Sequence, residues 1–364
     1  MGLGLDEIKR RLRVFSEQEA AGTSPLYEHL TAKAAEDDEI AGLLTDAKNG
    51  EARGTLLMAT AHRLIQADPI HPLSRYYPSL GGFDGVDSET WPLFREFLLS
   101  RADKARAIIA SRYTQTNEVR RAALLYPAVS IAAKEAGGKI ALLEVGCSAG
   151  LLLGLDKFNY RYQCDGGEQL TAGPAKTAVG LHCALDLEPG AVAPKLLKKL
   201  VINGRAGLDR APVDVHDEEE LAWLEACVWA DQPDRIRLLR TAAAAQVKYS
   251  PGLVTGDAVD DLAATAASLP EDLPLVVMTS HVLTYLGERR QDFLSELKKL
   301  ASERPLWWVS DEGYQVALEH VLPGRDDLAG NTVLGLVRWH NGETQARALA
   351  RTAPHGQRMT WLAA

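Results

Sequence analysis

The stretch Lys139-Ile140-Ala141-Leu142-Leu143-Glu144-Val145-Gly146-Cys147-Ser148-Ala149-Gly150-Leu151 decides how this chain is read. An apolar run closes on Glu144, breaks into a turn bracketed by Gly146 and Gly150, and resumes in Leu151, Leu152 and Leu153. That order spells a strand, a tight loop of small residues and a helix start. Such a joint presents backbone N–H groups at a helix N-terminus, open to a ligand. Glu144 adds a carboxylate at the strand's tip. Donors beside an acid suit a ligand with positive charge and hydroxyls, and S-adenosylmethionine is such a ligand.

Two other readings fit the same residues. Gly146-Cys147-Ser148-Ala149-Gly150 also matches G-x-S-x-G, the nucleophile elbow of serine hydrolases. Glu144 argues against it, because a carboxylate beside the serine would oppose the oxyanion. The oxyanion loop is missing too, since Gly81-Gly82 has no histidine before it. The third reading is that the glycines only let helix and strand pack closely. The cofactor loop is the favoured reading, with all five residues of the turn against the cofactor. Cys147 reads there as a small filler.

Composition narrows the classes. The 364 residues suffice for one large or two ordinary domains. Forty basic against 49 acidic residues give a charge of −9, which disfavours a nucleic-acid partner. No apolar run approaches the ~20 residues that span a bilayer, and no leader pattern opens the chain, so a cytoplasmic protein without a membrane partner is expected. Cys147, Cys164, Cys183 and Cys227 lack C-x-x-C spacing and read as reduced thiols. His182, His216, His320, His340 and His355 are dispersed, so no metal site is expected. Oligomeric state stays open.

Residues 1–136 read as an all-helical domain. Leu5, Ile8, Leu12 and Phe15 share one helix face, and Ser24-Pro25 starts a second helix. Residues 56–65 and 94–109 are further amphipathic stretches. Between them, 69–82 is an ordered loop whose Tyr76 and Tyr77 read as core anchors or as a stacking face for substrate. Thr114 to Glu118 introduce a helix that runs to about 136, where Gly137-Gly138 turn it into the strand of Glu144. Helix and strand should then be antiparallel. That brings Gln115, Asn117 and Glu118 beside the glycine loop, as caps or as pocket wall.

From 139 onward strands alternate with helices. Strands are expected at 139–145, 178–187, more weakly 200–209, then 252–255, 273–280 and 305–310. Helices are expected at 218–229, 233–245, 257–268 and 288–301. Asn341-Gly342 between two extended runs signals a hairpin. The pattern predicts an α/β fold: a Rossmann-like, mostly parallel sheet with an antiparallel C-terminal hairpin, preceded by the helical domain. The sheet domain would span 137–364, with an insertion at about 157–200.

Ligands of open α/β sheets bind outside the strands' carboxyl ends. Asp209 is expected to take the ribose hydroxyls, although it lies 63 residues after Gly146 where about 20 is usual. Asp165 has the better spacing but sits in a Cys-Asp-Gly-Gly turn. Asp257 would accept the adenine amino group or cap a helix. His281, just past a parallel strand, is the candidate general base. Tyr285 would line the same face, and Glu312 would contact substrate. The hydrolase alternative needs Ser148, Asp257 and His281 or His320 as a triad. A catalytically silent binding protein is the third class.

Beyond these residues the chain resembles a bacterial family, domain of unknown function 2332, with a methyltransferase-like core. The resemblance rests on Tyr76-Tyr77-Pro78-Ser79 with Gly81-Gly82, on Thr116-Asn117-Glu118-Val119, and on Leu143 through Leu151. It continues in Asp214-Val215, Trp223-Leu224, Val228-Trp229, Ser280-His281-Val282 and Tyr285-Leu286. It implies an S-adenosylmethionine-binding fold and brings no established substrate; the expected activity is methyl transfer to an unidentified small molecule or peptide. Ser148 stands where better-known methyltransferases have a middle glycine.

Overall fold

The structure, a computed structural model, describes residues 3–48, 50–340 and 342–363. The chain divides into two compact units: Met1–Thr116 with His216–Arg240, and Asn117–Val215 with Thr241–Ala364. The division expected at 136/137 therefore moves. Helix Ala122–Glu135 buries eleven of its fourteen residues and belongs to the second unit. A helix apolar almost all round needs cover on every side, and strands provide it. Residues 216–240 join the first unit because Trp223, Ala226 and Ala230 complete its core.

The first unit is helical among its described residues. Helices Leu5–Val14, Pro25–Ala34, Gly54–Gln66, Thr90–Leu99, Ala102–Ser111 and Glu218–Ala226 are its main elements. Ser24 caps the second through the Tyr27 N–H at 3.1 Å, with Pro25 in the first turn. Asp217 caps the last through the N–H groups of Glu219 and Glu220. Ile8, Leu12, Phe15, Tyr27, Leu56, Phe94 and Phe97 meet in one apolar core.

The second unit is mixed α/β, built on a large, mostly parallel sheet. Its strands are β1 (Lys139–Val145), β2 (Asn159–Cys164), β3 (Gln169–Ala172), β4 (Gly180–Leu187), β5 (Val201–Asp209), β6 (Gly252–Thr255), β7 (Leu275–Ser280), β8 (Leu306–Gly313), β9 (Thr332–His340), β10 (Glu343–Thr352) and β11 (Arg358–Trp361). They lie in the order β3-β2-β4-β11-β10-β9-β8-β7-β1-β5-β6. The block β6-β5-β1-β7-β8 is parallel throughout, whereas β9 and β10 form the antiparallel hairpin. Asn341, half of the hairpin's turn signal, lies outside the described residues. Every residue of β1 after Lys139 is buried, as expected for a strand covered on both faces. Among the described residues no helix is long and apolar enough to cross a membrane.

Two details depart from the reading of the sequence. The stretch at 157–200 contributes, besides the expected strand β4, the strands β2 and β3, which extend the sheet beyond it. Asp311 and Glu312 lie inside β8 rather than after it, paired with Leu334 and Val333 of β9.

Candidate functional site

The parallel block brings five strand ends to one edge: Gly146 after β1, Asp209 closing β5, Asp257 after β6, His281 after β7, and Glu312 near the end of β8. Asn117 reaches the same edge. Its amide donates to Ser148 Oγ at 2.6 Å and accepts from the Ala149 N–H at 3.3 Å. Asp165 follows β2, which runs opposite to β1, and so lies at the other edge. Of the two acids weighed for ribose, Asp209 is the one beside the loop.

The loop itself corrects an expectation. Its N–H groups do not face outward as free donors. Gly146 and Cys147 both donate to Leu208 O, at 2.7 and 3.4 Å, and Ser148 donates to Asp209 Oδ2 at 2.8 Å. Ala149 donates to Asn117 and Gly150 to Cys147 O at 2.6 Å. The residues after the loop form a tight 3-10 turn, Leu151–Lys157, in place of an α-helix. Gly146, at φ +72°, has no room for a Cβ, which would sit 2.1 Å from Val282 Cγ2. At Gly150 the same atom would meet Leu253 at 2.8 Å. These glycines are required by protein packing.

The acids differ in what remains open on them. Asp209 is spent on the N–H groups of Ser148 and Ala211. Burial would raise Asp257, but N–H donors from Val259 and Asp260 with Arg210 and Arg289 outweigh it and hold the carboxyl at about 2. It caps its turn and binds arginines, the plainer of its two expected roles. Glu144 is 5% exposed, and its Oε2 has no hydrogen-bond partner. Burial, then Asp209, pushes its carboxyl well above the usual range, toward the protonated form. Two more buried atoms nearby lack partners, Gln246 Oε1 and Tyr249 Oη. Gln246 Nε2 donates to Ala149 O at 2.6 Å. Burial raises the Tyr249 phenol, with Glu144 contributing. Cys147 is buried, and burial, Glu144 and Asp209 all keep its thiol protonated. That is a filler, not a nucleophile.

His281 has φ +56°, an uncommon backbone state for this residue type. Its N–H donates to Asp311 O at 3.1 Å, and its buried Nε2 has no partner. Burial, then Arg121, lowers the imidazole to about 4, so it is neutral near pH 7. Glu118 is buried, with Oε1 on the Arg120 N–H at 3.2 Å and Oε2 at 3.4 Å from His355 Nδ1. Glu312 accepts from the Val282 N–H at 2.9 Å, and burial pushes it up to about 8. Tyr285 is 70% exposed. Gln115, Tyr76 and Tyr77 belong to the helical unit. Both tyrosines are fully buried there, and Tyr76 Oη donates to Asp87 at 2.7 Å. They anchor that core, and neither ring offers a face for stacking.

A family profile described as "Uncharacterized protein conserved in bacteria (DUF2332)" matches residues 9–361. The chain belongs to the DUF2332 family. Neither a curated protein nor a solved structure matches it.

In this DUF2332 protein the sequence reading missed Gln246, Tyr249, Arg121 and His355. Gln246 and Tyr249 follow β5 by some forty residues and carry no motif. Arg121 is buried, with Nε donating to Pro354 O at 2.9 Å, and the turn Pro354-His355-Gly356 precedes β11. Among the described residues of the DUF2332 chain no three His, Cys, Asp or Glu side chains gather to hold a metal.

Proposed function

We propose that this chain binds S-adenosylmethionine at the carboxyl edge of β1 and transfers its methyl group to a small molecule or peptide. The supporting fold reading is a Rossmann-like core preceded by a helical domain. In the order β6-β5-β1-β7-β8 the chain leaves β1 toward one side and returns on the other. The strand order therefore reverses between β1 and β7, the usual ligand crevice of such sheets.

The observation that carries the proposal is Glu144 Oε2, a buried carboxyl oxygen without a partner. Leaving such a group unsatisfied costs about 1–3 kcal/mol. The ammonium of an amino-acid moiety would satisfy it and ionise the carboxyl. The engaged loop donors do not fit a cofactor held by backbone N–H groups, so Glu144 holds the ligand and the loop shapes the wall. When bound, the cofactor supplies an electrophilic methyl group. His281, neutral at physiological pH, takes the proton from the substrate's attacking hydroxyl or amine. Positioning by such a site is worth ~7–11 kcal/mol of barrier.

Ser148 is not the nucleophile in this reading, because the Asn117 amide donates to its Oγ. The saturated loop favours one second reading, a protein that keeps the fold and binds without transferring. Calorimetric titration with S-adenosylhomocysteine tests both. Absence of binding ends both, and binding without turnover on any amine or hydroxyl substrate favours the second.

A further inference from the structure

The helical unit contains a nucleophile–base pair that is independent of the cofactor reading. His62, on helix Gly54–Gln66, is fully buried. Its Nδ1 lies 3.2 Å from the carbonyl oxygens of both Ala226 and Val228. Carbonyls only accept, so Nδ1 carries the proton and Nε2 is left as an acceptor. Ser79 Oγ sits 2.8 Å from Nε2 and donates to it. Ser79 is half-buried, and its position is fixed by Pro78 and by its own N–H on Ala230 O at 2.8 Å. Nucleophile, base and a third group that orients the base are the parts of an activated serine. Here two carbonyls stand where a carboxylate is more usual.

We propose that Ser79 is an acylatable nucleophile, with His62 as its general base, acting on carboxylic esters that have a good leaving group. Ser79 Oγ bonds to the acyl carbon while its proton passes to His62 Nε2. The ester C–O bond breaks, and the departing oxygen takes that proton. Water then attacks the acyl-serine, releasing the acid and restoring the hydroxyl. The leaving-group requirement follows from the turn itself. The N–H groups of Leu80, Gly81 and Gly82 are spent on Tyr77 O and Pro78 O, so the turn builds no oxyanion cradle.

The test uses the full chain and p-nitrophenyl acetate. The expected result is a stoichiometric burst of p-nitrophenolate, with acetyl found on the Ser79 peptide by mass spectrometry. Ser79→Ala, with unchanged circular dichroism, should abolish the burst. His62→Gln should slow it by about 100-fold or more. Because His62 is buried, a readout on the native protein stands beside that variant. Burial lowers the imidazole to about 4, so acylation should stay level through neutral pH and fall only as pH nears that value. A loss near 6.5, where an unburied imidazole titrates, would overturn the assignment. So would an absent burst, an undiminished burst in Ser79→Ala, or acetyl on Ser148 instead.

Discussion

Asn117 grips Ser148 and its neighbour from outside the loop, donating to Oγ at 2.6 Å and accepting from the Ala149 N–H at 3.3 Å. One amide therefore ties the segment before helix Ala122–Glu135 to the turn after β1. Asn117→Ala removes both bonds and leaves the Ala149 N–H without that acceptor. The expected loss is about 1–3 kcal/mol of unfolding free energy, read by urea denaturation. Asn117→Asp keeps an acceptor for Ala149 and should lose less. Equal losses would mean that the Ala149 bond contributes nothing.

Gly146 and Val282 form a second coupled pair. A Cβ at Gly146 would lie 2.1 Å from Val282 Cγ2, on a backbone at φ +72°. Gly146→Ala should be strongly destabilising, and Val282→Ala in the same chain should recover much of the loss. What remains is the left-handed backbone term, roughly 1–2 kcal/mol. The four-member cycle of denaturation curves measures the coupling. Simple additivity would show that the clash relaxes freely.

Glu144 predicts a proton release. Burial raises the carboxyl in the free protein and so favours its protonated form. Pairing with a ligand's ammonium favours the ionised form, so under the proposed function binding of S-adenosylhomocysteine should expel a proton. Affinity should rise with pH, and the calorimetric heat should vary with the buffer's ionisation enthalpy. Glu144→Gln should abolish the buffer dependence and weaken binding. Buffer-independent heats in the native protein would rule out this role for Glu144.

Much of the fold was legible because local patterns and final neighbours agree. The runs at 139–145, 252–255 and 273–280 became β1, β6 and β7, and the two-glycine turn delivered Asn117 to the loop. The strands β2 and β3 were not legible, since their short alternating segments gain partners only by pairing with each other and, through β2, with β4. The state of the loop donors was hidden for a similar reason. Their acceptors on Leu208, Asp209 and Asn117 lie 32 to 62 residues away in the chain. Sequence shows a turn's shape far better than who fills its hydrogen bonds.

Glu312 sets a stability window. Its carboxyl is raised from 4.5 to about 8 in the fold, so the folded chain holds a proton that the unfolded chain releases. That stability is complete below about 4.5 and is lost as pH rises through about 8. His62 and His281, both lowered from 6.5 to about 4, work oppositely and lose stability as pH falls below 6.5. Between pH 6.5 and 8 the carboxyl term acts without them. Melting temperature should decline across that interval in the native protein and decline less in Glu312→Gln. Parallel profiles would show that Glu312 is ionised in the fold.

The helical unit is assembled from two separated pieces of chain, Met1–Thr116 and His216–Arg240. During synthesis its first piece leaves the ribosome without Trp223, Ala226 and Ala230, which complete its core. Residues 117–215 must be made before they arrive, a delay of roughly 5–20 s at ~5–20 residues per second. Through that interval the apolar faces of Leu56, Phe94 and their neighbours lack their final cover. A nascent chain stalled near residue 200 should therefore be captured by chaperones and cut by protease within its first 116 residues. One stalled past residue 240, with the exit tunnel cleared, should resist.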